Sequence, residues 1–324
     1  MRFNPKARLD NSRVQDVGGS GGSSGGGGGF GSGGGLPIPT GKMGGGIGGL
    51  ILVVAILIIA QCSGANLGGV LGGSSSSSLD ASRISGVSVT GSGTGTHDFA
   101  SCQTGEDANN SEDCALVAVE NSLVDYWSKE LGSTFQKEAA VDVFEGRVTT
   151  NGCGSATSDV GPFYCPTDRT IYLDTSFYQD VLKNELGGQD APFVRAYVIA
   201  HEFGHHIQNL LGIMNKVKTQ QGANSDSVKL ELQADCFAGM WAQAAQTTPD
   251  ADGNVLIEGL TDTDISDAIG AATAVGDDYI QNRMQGKSNP ESWTHGSSAQ
   301  RVKWFKTGMA SHNDIQACNT GLGA

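Results

Sequence analysis

The 324-residue chain is long enough for one or two domains, but 49 glycines and an aromatic content of 6% indicate that part of it builds no core. The formal net charge is −14 at pH 7, and the acidic excess lies after residue 94, where 31 acidic side chains accompany 14 basic ones. Such a negative surface repels nucleic acid, so we expect no nucleic-acid partner and favour a secreted or extracytoplasmic environment.

The first 43 residues are predicted to be a disordered tail. Residues 1–17 are polar and mildly basic, and residues 18–49 are a Gly/Ser-rich tract that cannot bury enough apolar surface to order itself. This composition is typical of a flexible linker.

An uncharged apolar run follows at 47–60, and with its small-residue flanks, 44–65, it reaches the roughly 20 residues that a membrane span needs. A cleaved signal peptide would have far fewer residues before its apolar run. A lipoprotein site at Cys62 would need a small residue where Gln61 stands, and a buried core helix is not expected between two disordered stretches. We therefore predict a single transmembrane anchor at 44–65.

Charge gives the predicted orientation of this anchor. Lys42 and the basic residues near the N-terminus precede the apolar run, whereas the next basic residue after it is Arg83. Because positive charge stays on the cytoplasmic side, we expect a cytoplasmic N-terminus and a domain in the periplasm or at the cell exterior. Residues 66–96 are a second Gly/Ser-rich linker, and the folded domain is predicted at 97–324.

Six of the seven cysteines fall in the predicted domain. Two pairs each bracket eleven residues that are rich in turn-forming side chains, which favours two short disulfide-closed loops, and a third, long-range pair remains. Six cysteines allow 15 pairings, and free buried thiols are the alternative. Disulfides agree with an extracytoplasmic domain. We predict the pairs Cys102–Cys114, Cys153–Cys165 and Cys236–Cys318.

Apolar residues at helical spacing predict most elements of the domain. Helices are expected at about 115–131, 177–186, 192–211, 226–246 and 265–283, and a last helix begins with a capping box of Ser297 and Gln300. Alternating apolar residues predict strands near 141–148 and 169–174. The predicted fold class is therefore α+β, mainly helical with a small β-sheet.

The stretch Ala-His-Glu-Phe-Gly-His-His at 200–206 lies within the helix predicted at 192–211. Residues four apart lie one above the other on a helix, so His201 and His205 can both reach one metal ion. Glu202 falls one position further round, where its carboxylate can take a proton from a metal-bound water. A surface helix with two coincidentally spaced histidines is the alternative, but the helical context favours a zinc hydrolase.

A catalytic zinc usually has three protein ligands and a water, so a third ligand is required. The candidates are Glu231, Asp235, His206, His295, His97 and His312. His206 points about 100° away from His205 and is predicted to cap the solvent side of its helix. Glu231 is favoured because it shares a helix face with Asp235, so that one carboxylate can bind zinc while the other accepts the free ring N–H of His201.

The His-Glu-x-x-His motif followed by Glu231-x-x-x-Asp235 resembles the gluzincin arrangement. Together with the stretches 161–166, 171–174, 200–208, 231–239 and 295–301, it is similar to the bacterial membrane-anchored family called putative neutral zinc metallopeptidases. The resemblance implies a zincin-like domain in which Glu231 is the third ligand and Asp235 supports the ligands. It also implies that His295 and Arg301 face the developing oxyanion.

The predicted function is therefore a membrane-anchored, extracytoplasmic zinc metalloendopeptidase with Zn²⁺ as cofactor and a peptide or protein as substrate. The segment 161–174 is the candidate for a strand that borders the cleft and pairs with the substrate, with a plain hairpin as the alternative. A zinc-stabilised scaffold or binding domain at the membrane surface is the alternative function. Glu202 argues against it, because a structural zinc site needs no adjacent base. The sequence leaves the oligomeric state open.

Overall fold

The structure is a computed structural model that describes residues 1–18 and 97–324. The predicted transmembrane anchor at 44–65 and the linker at 66–96 lie outside the described residues. Within the described parts of the chain, no helix is both long and apolar enough to cross a membrane.

Helices make up most of the regular secondary structure of the described residues, and most of them lie where the periodicity predicts them. They are α1 (Gly105–Asn110), α2 (Glu112–Leu131), α3 (Pro192–Leu210), α4 (Asp226–Ala244), α5 (Asp262–Ala274), α6 (Asp277–Gln285) and α7 (Ser298–Met309), with a π-helical segment at Phe177–Glu185. Pro192 occupies the first turn of α3, and Gly212, with φ +68°, follows its end. The capping box of Ser297 and Gln300 is confirmed at the start of α7.

The predicted helix at 265–283 is wrong in one respect, because it is divided into α5 and α6. The break falls at Val275 and Gly276, and Gly276 lies so close to α7 that an added Cβ would be 2.4 Å from the main-chain nitrogen of Ser298. The apolar periodicity continues through the break, so the pattern alone does not reveal it. The break places Asp277 at the start of α6, against the loop before α7.

A four-stranded sheet packs beside α3 in the strand order β1-β2-β6-β5. Its strands are β1 (Val14–Asp16), β2 (Ala140–Phe144), β5 (Phe163–Cys165) and β6 (Thr170–Asp174), while β3 (Arg147–Thr149) and β4 (Ser155–Thr157) form a separate antiparallel pair. β1 and β6 run parallel to β2, whereas β5 runs antiparallel to β6. The predicted strand at 141–148 is interrupted because Gly146, with φ +84°, turns the chain. The mixed α+β class is confirmed.

Residues 1–18 belong to this fold, and the prediction of a disordered tail is wrong for them. β1 extends the sheet by pairing with β2, and Phe3 is buried in the core. Arg13 reaches the buried carboxylates of Glu120 and Glu138 at 2.8 and 3.2 Å. A short segment that is ordered by partners more than a hundred residues away carries little local signal in its own composition.

The packing of this N-terminal segment also bears on membrane orientation. Residues 1–18 and 97–324 form one fold, and this arrangement does not allow a membrane to separate the two parts. The predicted placement of the N-terminus in the cytoplasm, opposite the domain, disagrees with this arrangement. The reason is that the charge rule considers only the sequence beside the apolar run and not a contact between its two flanks.

Helices α4 and α7 pack closely, and a disulfide joins α4 to the segment after α7. An added Cβ at Gly308 of α7 would lie 1.9 Å from the carbonyl oxygen of Cys236 on α4, so only glycine allows this approach. The segment after α7 is in turn fastened to α4. All three predicted disulfides are confirmed: Cys102–Cys114, Cys153–Cys165 and Cys236–Cys318.

Candidate metal centre

Two neighbouring helices carry the predicted metal ligands. His201 and His205 lie on α3 and Glu231 lies on α4, and all three are buried. Gly204 lets the helices approach, because an added Cβ there would be 3.0 Å from the carbonyl oxygen of Ala234. The i, i+4 spacing therefore places both imidazoles on the face of α3 that meets α4.

The three side chains form a group that could hold a metal ion. The Nε2 atoms of His201 and His205 lie 3.2 and 3.5 Å from carboxylate oxygens of Glu231, and the three ligand atoms are within 4.8 Å of one another. Around a tetrahedral zinc with bonds of about 2.0–2.2 Å, ligand atoms are roughly 3.3–3.6 Å apart. The residues present therefore fit a zinc ion.

Asp235, one turn after Glu231 on α4, contacts the outer ring nitrogen of His201. Its Oδ1 lies 2.9 Å from His201 Nδ1 and accepts a hydrogen bond from the Tyr197 hydroxyl at 2.6 Å. An Nδ1–H that donates to this carboxylate directs Nε2 of His201 toward the metal position. Burial opposes a charge on His201, but Asp235 and Glu231 outweigh it and raise the pKa of His201 to about 10. A metal ion bound at Nε2 of His201 would therefore compete with a proton.

Arg301 contacts Asp235, the carboxylate that faces the outer ring nitrogen of His201. Its guanidinium donates to both carboxylate oxygens of Asp235, from Nε at 2.8 Å and from Nη2 at 2.9 Å. Nη1 also donates to the carbonyl oxygen of Val275 at 3.3 Å. Burial opposes ionisation of Asp235, but Arg301 and His201 outweigh it and lower the pKa of Asp235 to about 2. Arg301 therefore neutralises the carboxylate that orients a ligand, although it also lines the cavity.

Glu202 lies in the same cavity as the three candidate ligands. The side chain is buried, and burial raises its pKa, an effect that His201 and His205 partly offset. A carboxylate that accepts a proton readily, next to a metal position, has the properties of a general base.

His295 contributes another part of the wall of this cavity of ≈130 Å³. It lies in the loop before α7, with Nδ1 2.9 Å from Thr294 Oγ1 and 3.5 Å from the carboxylate of Asp277. These contacts occupy the Nδ1 edge of the ring and leave Nε2 for the cavity. Burial opposes protonation of His295, but Glu231 and Asp277 outweigh it and raise its pKa.

Much of the remaining cavity wall is apolar. It includes Val160, Phe163, Phe177, Leu186, Val198 and Ile280. Residues 160–163 lead into β5, which is an edge strand of the four-stranded sheet. Residues 161–163, which begin the predicted cleft segment 161–174, therefore line the cavity.

The other candidate histidines lie elsewhere. His206 is fully buried, with Nδ1 3.0 Å from the Tyr164 hydroxyl and Nε2 2.7 Å from the carbonyl oxygen of Gln136. Its predicted role as a solvent-side cap is wrong, because the sheet covers that side of α3. His97 pairs with an aspartate of α2, and His312 is exposed.

Sequence reasoning missed one contact of the site. Gln208 Oε1 lies 2.8 Å from Nδ1 of His205, the ring nitrogen that faces away from Glu231. Gln208 stands three residues after His205 on the same helix face, and this spacing is the signal that identifies it.

Comparisons with known proteins agree with this centre. The family model described as "Putative neutral zinc metallopeptidase" matches residues 1–321. An uncharacterized protein of Mycobacterium tuberculosis is 48% identical over 225 residues, which are 69% of this chain and 75% of that protein. The uncharacterized protein YpfJ of Escherichia coli is 38% identical over 327 residues, which are 99% of this chain and 98% of that protein. No solved structure matches significantly. The chain therefore belongs to the putative neutral zinc metallopeptidase family.

Proposed function

We propose that the chain is a zinc metalloendopeptidase that cleaves a peptide or protein substrate with Glu202 as its general base. One observation carries the proposal. The buried group of His201, His205 and Glu231 lies beside Glu202, a further acid in the same cavity that is not part of the group. A structural zinc site is normally closed by four protein ligands, whereas three ligands and an adjacent base are typical of a catalytic one.

Zinc held by His201, His205 and Glu231 would act as a Lewis acid and would lower the pKa of a water molecule to about 7. Glu202 takes a proton from the attacking water and then delivers it to the leaving nitrogen of the peptide bond. Its burial favours the first step, because a buried carboxylate binds the proton more readily than an exposed one.

His295 is the proposed donor to the carbonyl oxygen of the substrate. Its Nε2 edge is left for the cavity, and a hydrogen bond to the oxygen as it gains negative charge contributes on the order of 3–4 kcal/mol. Arg301 acts indirectly in this proposal, since its strongest hydrogen bonds are made to Asp235.

We propose that the substrate binds as an extended chain along the edge strand β5. Such binding uses the main-chain hydrogen bonds of an edge strand and is common in peptide recognition. The apolar wall, with Phe163 and Phe177 among its residues, favours an apolar substrate side chain next to the scissile bond.

The replacement Glu202→Gln in the full chain tests the proposal. The variant is expected to bind one zinc ion like the wild type and to hydrolyse a quenched fluorescent peptide with apolar central residues roughly 10²–10⁴-fold more slowly. The exposed Glu145→Gln is the matched control and should retain the wild-type rate. Wild-type hydrolysis by the Glu202→Gln variant would remove Glu202 as the base.

Chelation tests the scaffold alternative. If the domain is an enzyme, removal of zinc abolishes hydrolysis while circular dichroism shows that the fold remains. A protein that unfolds without zinc and cleaves no peptide when loaded would support the scaffold.

We further propose that the domain acts outside the cytoplasm and is held at the membrane by the apolar run at 47–60. The three disulfides support the location, because the cytoplasm keeps thiols reduced. Since residues 1–18 pack on the domain, both flanks of the run lie on one side in this proposal, so the run would enter the membrane from that side and not cross it as the predicted single span does. The variants Lys6→Cys and Lys303→Cys, both at exposed positions, should react equally with a membrane-impermeant thiol reagent in intact cells. Protection of position 6 alone would contradict this arrangement.

A further inference from the structure

The outer ring nitrogens of the two histidine ligands have different partners. His201 Nδ1 faces the carboxylate of Asp235, whereas His205 Nδ1 faces the side-chain amide of Gln208 at 2.8 Å. An amide can either donate or accept, so it orients an imidazole only if something determines which way round it lies.

Main-chain contacts determine the orientation of Gln208. Its Nε2 donates to the carbonyl oxygen of Leu230 at 2.7 Å, and a main-chain carbonyl can only accept. The Oε1 atom is therefore the one that faces His205, and it accepts the proton of Nδ1–H. This tautomer leaves the lone pair of His205 Nε2 directed toward Glu231 and the metal position.

A second buried glutamine supports the first. Gln208 Nε2 also donates to Gln233 Oε1 at 3.1 Å, and Gln233 Nε2 donates to the carbonyl oxygens of Cys318 and Gly323 at 3.0 and 2.6 Å. Both glutamine side chains are completely buried. We call Gln208 and Gln233 the amide relay. Main-chain carbonyls accept from the side-chain nitrogen of each glutamine, so they determine which amide atom donates and which accepts.

The far end of the amide relay belongs to the segment after α7. Cys318, whose carbonyl accepts from Gln233, is joined by a disulfide to Cys236, which lies three residues after Gln233 on α4. The same segment donates from Thr320 to the carbonyl oxygen of Lys229 at 2.8 Å. Without this segment, the amide of Gln233 would lose the two acceptors that orient it.

We propose that the amide relay of Gln208 and Gln233 positions His205 as a metal ligand, and that the Cys236–Cys318 disulfide holds the relay in place. The inference rests on the proposed zinc site. It assigns a metal-supporting role to a segment that does not touch the metal position, and it makes zinc affinity depend on one disulfide. Partners of metal-binding histidines commonly account for a 10–100-fold difference in metal affinity.

The first test measures the zinc dissociation constant of the full chain by competition with a chelator. Gln208→Leu, which keeps the volume but not the hydrogen bonds, is expected to weaken zinc binding by about 10–100-fold. The control is Asn121→Leu, which removes a buried amide that contacts Asp10 in the N-terminal segment. It is expected to lower the melting temperature without changing the zinc affinity. Equal affinities of Gln208→Leu and the wild type would overturn the proposal.

The second test removes the disulfide. The paired variant Cys236→Ala/Cys318→Ala should bind zinc more weakly than Cys102→Ala/Cys114→Ala, the control that removes a disulfide of another part of the fold. Identical zinc affinities in the two paired variants would show that the disulfide has no part in the relay. A wild type that binds no zinc would instead contradict the proposed function.

A spectroscopic measurement on the wild type avoids any folding defect of the variants. In the zinc-loaded chain, nitrogen NMR of the histidine rings should show His205 with its proton on Nδ1, hydrogen-bonded to Gln208. A proton on Nε2 of His205 would overturn the assignment, because the metal-binding nitrogen cannot carry it.

Discussion

Asp277 holds the loop of His295 through one carboxylate oxygen. Oδ2 accepts the main-chain N–H of His295 at 2.7 Å, and those of its two neighbours at 2.8 and 2.9 Å. The second oxygen, Oδ1, lies 3.5 Å from the Nδ1 atom of the His295 ring. The position of the proposed oxyanion donor therefore depends on a residue at the first turn of α6.

The replacement Asp277→Asn tests this dependence. An amide offers one acceptor oxygen in place of two and brings a donor against the N–H groups of the loop, so the ring of His295 should shift. We expect kcat to fall roughly tenfold, with KM and zinc content unchanged, because small displacements of catalytic groups are costly.

Asp278→Asn is the matched control for Asp277→Asn. Asp278 lies next to Asp277 and accepts hydrogen bonds from Ser298 of α7, not from the His295 loop. Its variant should keep kcat. In a His295→Ala background, Asp277→Asn should cause no further loss, and an independent tenfold loss there would show that Asp277 acts through something other than His295.

A second prediction concerns Arg301, which the family resemblance places at the oxyanion. Arg301→Met removes the guanidinium that pairs with the buried Asp235 and leaves His201 as its remaining partner, and breaking a buried pair costs about 3–5 kcal/mol of unfolding free energy. Urea denaturation of the metal-free proteins measures this cost. Arg2→Gln, which removes an exposed pair with Glu258, is the control and should cost no more than about 1 kcal/mol.

The same variant separates the two roles of Arg301. If Arg301 acted mainly on the oxyanion, Arg301→Met would keep its stability and its zinc affinity and lose only kcat. We expect instead that Arg301→Met lowers the stability and the zinc affinity, and that any loss of kcat accompanies these changes.

A third prediction concerns the N-terminal segment. Arg13 is the cationic partner of Glu120 and Glu138, whose side chains are fully buried, so Arg13→Met should lower the unfolding free energy by on the order of 3 kcal/mol. The exposed Lys6→Met is the control and should lie within about 0.5 kcal/mol of the wild type. A negligible effect of Arg13→Met would indicate that residues 1–18 are not docked in solution.

The sequence predicts best what local patterns determine. His201, Glu202 and His205 share a helix whose start and end signals are within a few residues, and the structure has that helix at Pro192–Leu210. The i, i+4 spacing also places Glu231 and Asp235 on one face of α4, which is the face that meets α3. These relationships need only helical periodicity and the meeting of two helices.

Apart from the local contact of Gln208 with His205, the main features that the sequence does not predict depend on contacts between distant segments. Residues 1–18 are ordered by partners on α2 and β2, and the break before α6 is explained by the close approach of Ser298 to Gly276. The family resemblance places Arg301 at the oxyanion, whereas in the structure its guanidinium donates to Asp235, which is 66 residues away. No spacing rule within one segment contains this information.

The last prediction is a pH dependence of stability that arises far from the metal centre. Asp142 lies on β2, where burial raises its pKa to about 6, although Gln15 of the N-terminal segment donates a hydrogen bond to it at 2.7 Å. In the unfolded chain this carboxyl titrates near 3.9. Because the folded-state pKa is the higher one, the carboxyl contributes stability that is complete below about pH 4 and is lost as the pH rises through about 6.

Asp142→Asn removes that titration. The variant is expected to be about 2 kcal/mol more stable than the wild type at pH 7.5, where the buried carboxylate is charged, and equally stable at pH 4. Urea denaturation at both pH values, with a chelator present so that zinc release does not contribute, measures the difference. Asp252→Asn, in an exposed loop, should show no such pH-dependent gain. A gain for Asp142→Asn of the same size at both pH values would show that packing, and not the charge of the carboxylate, causes it.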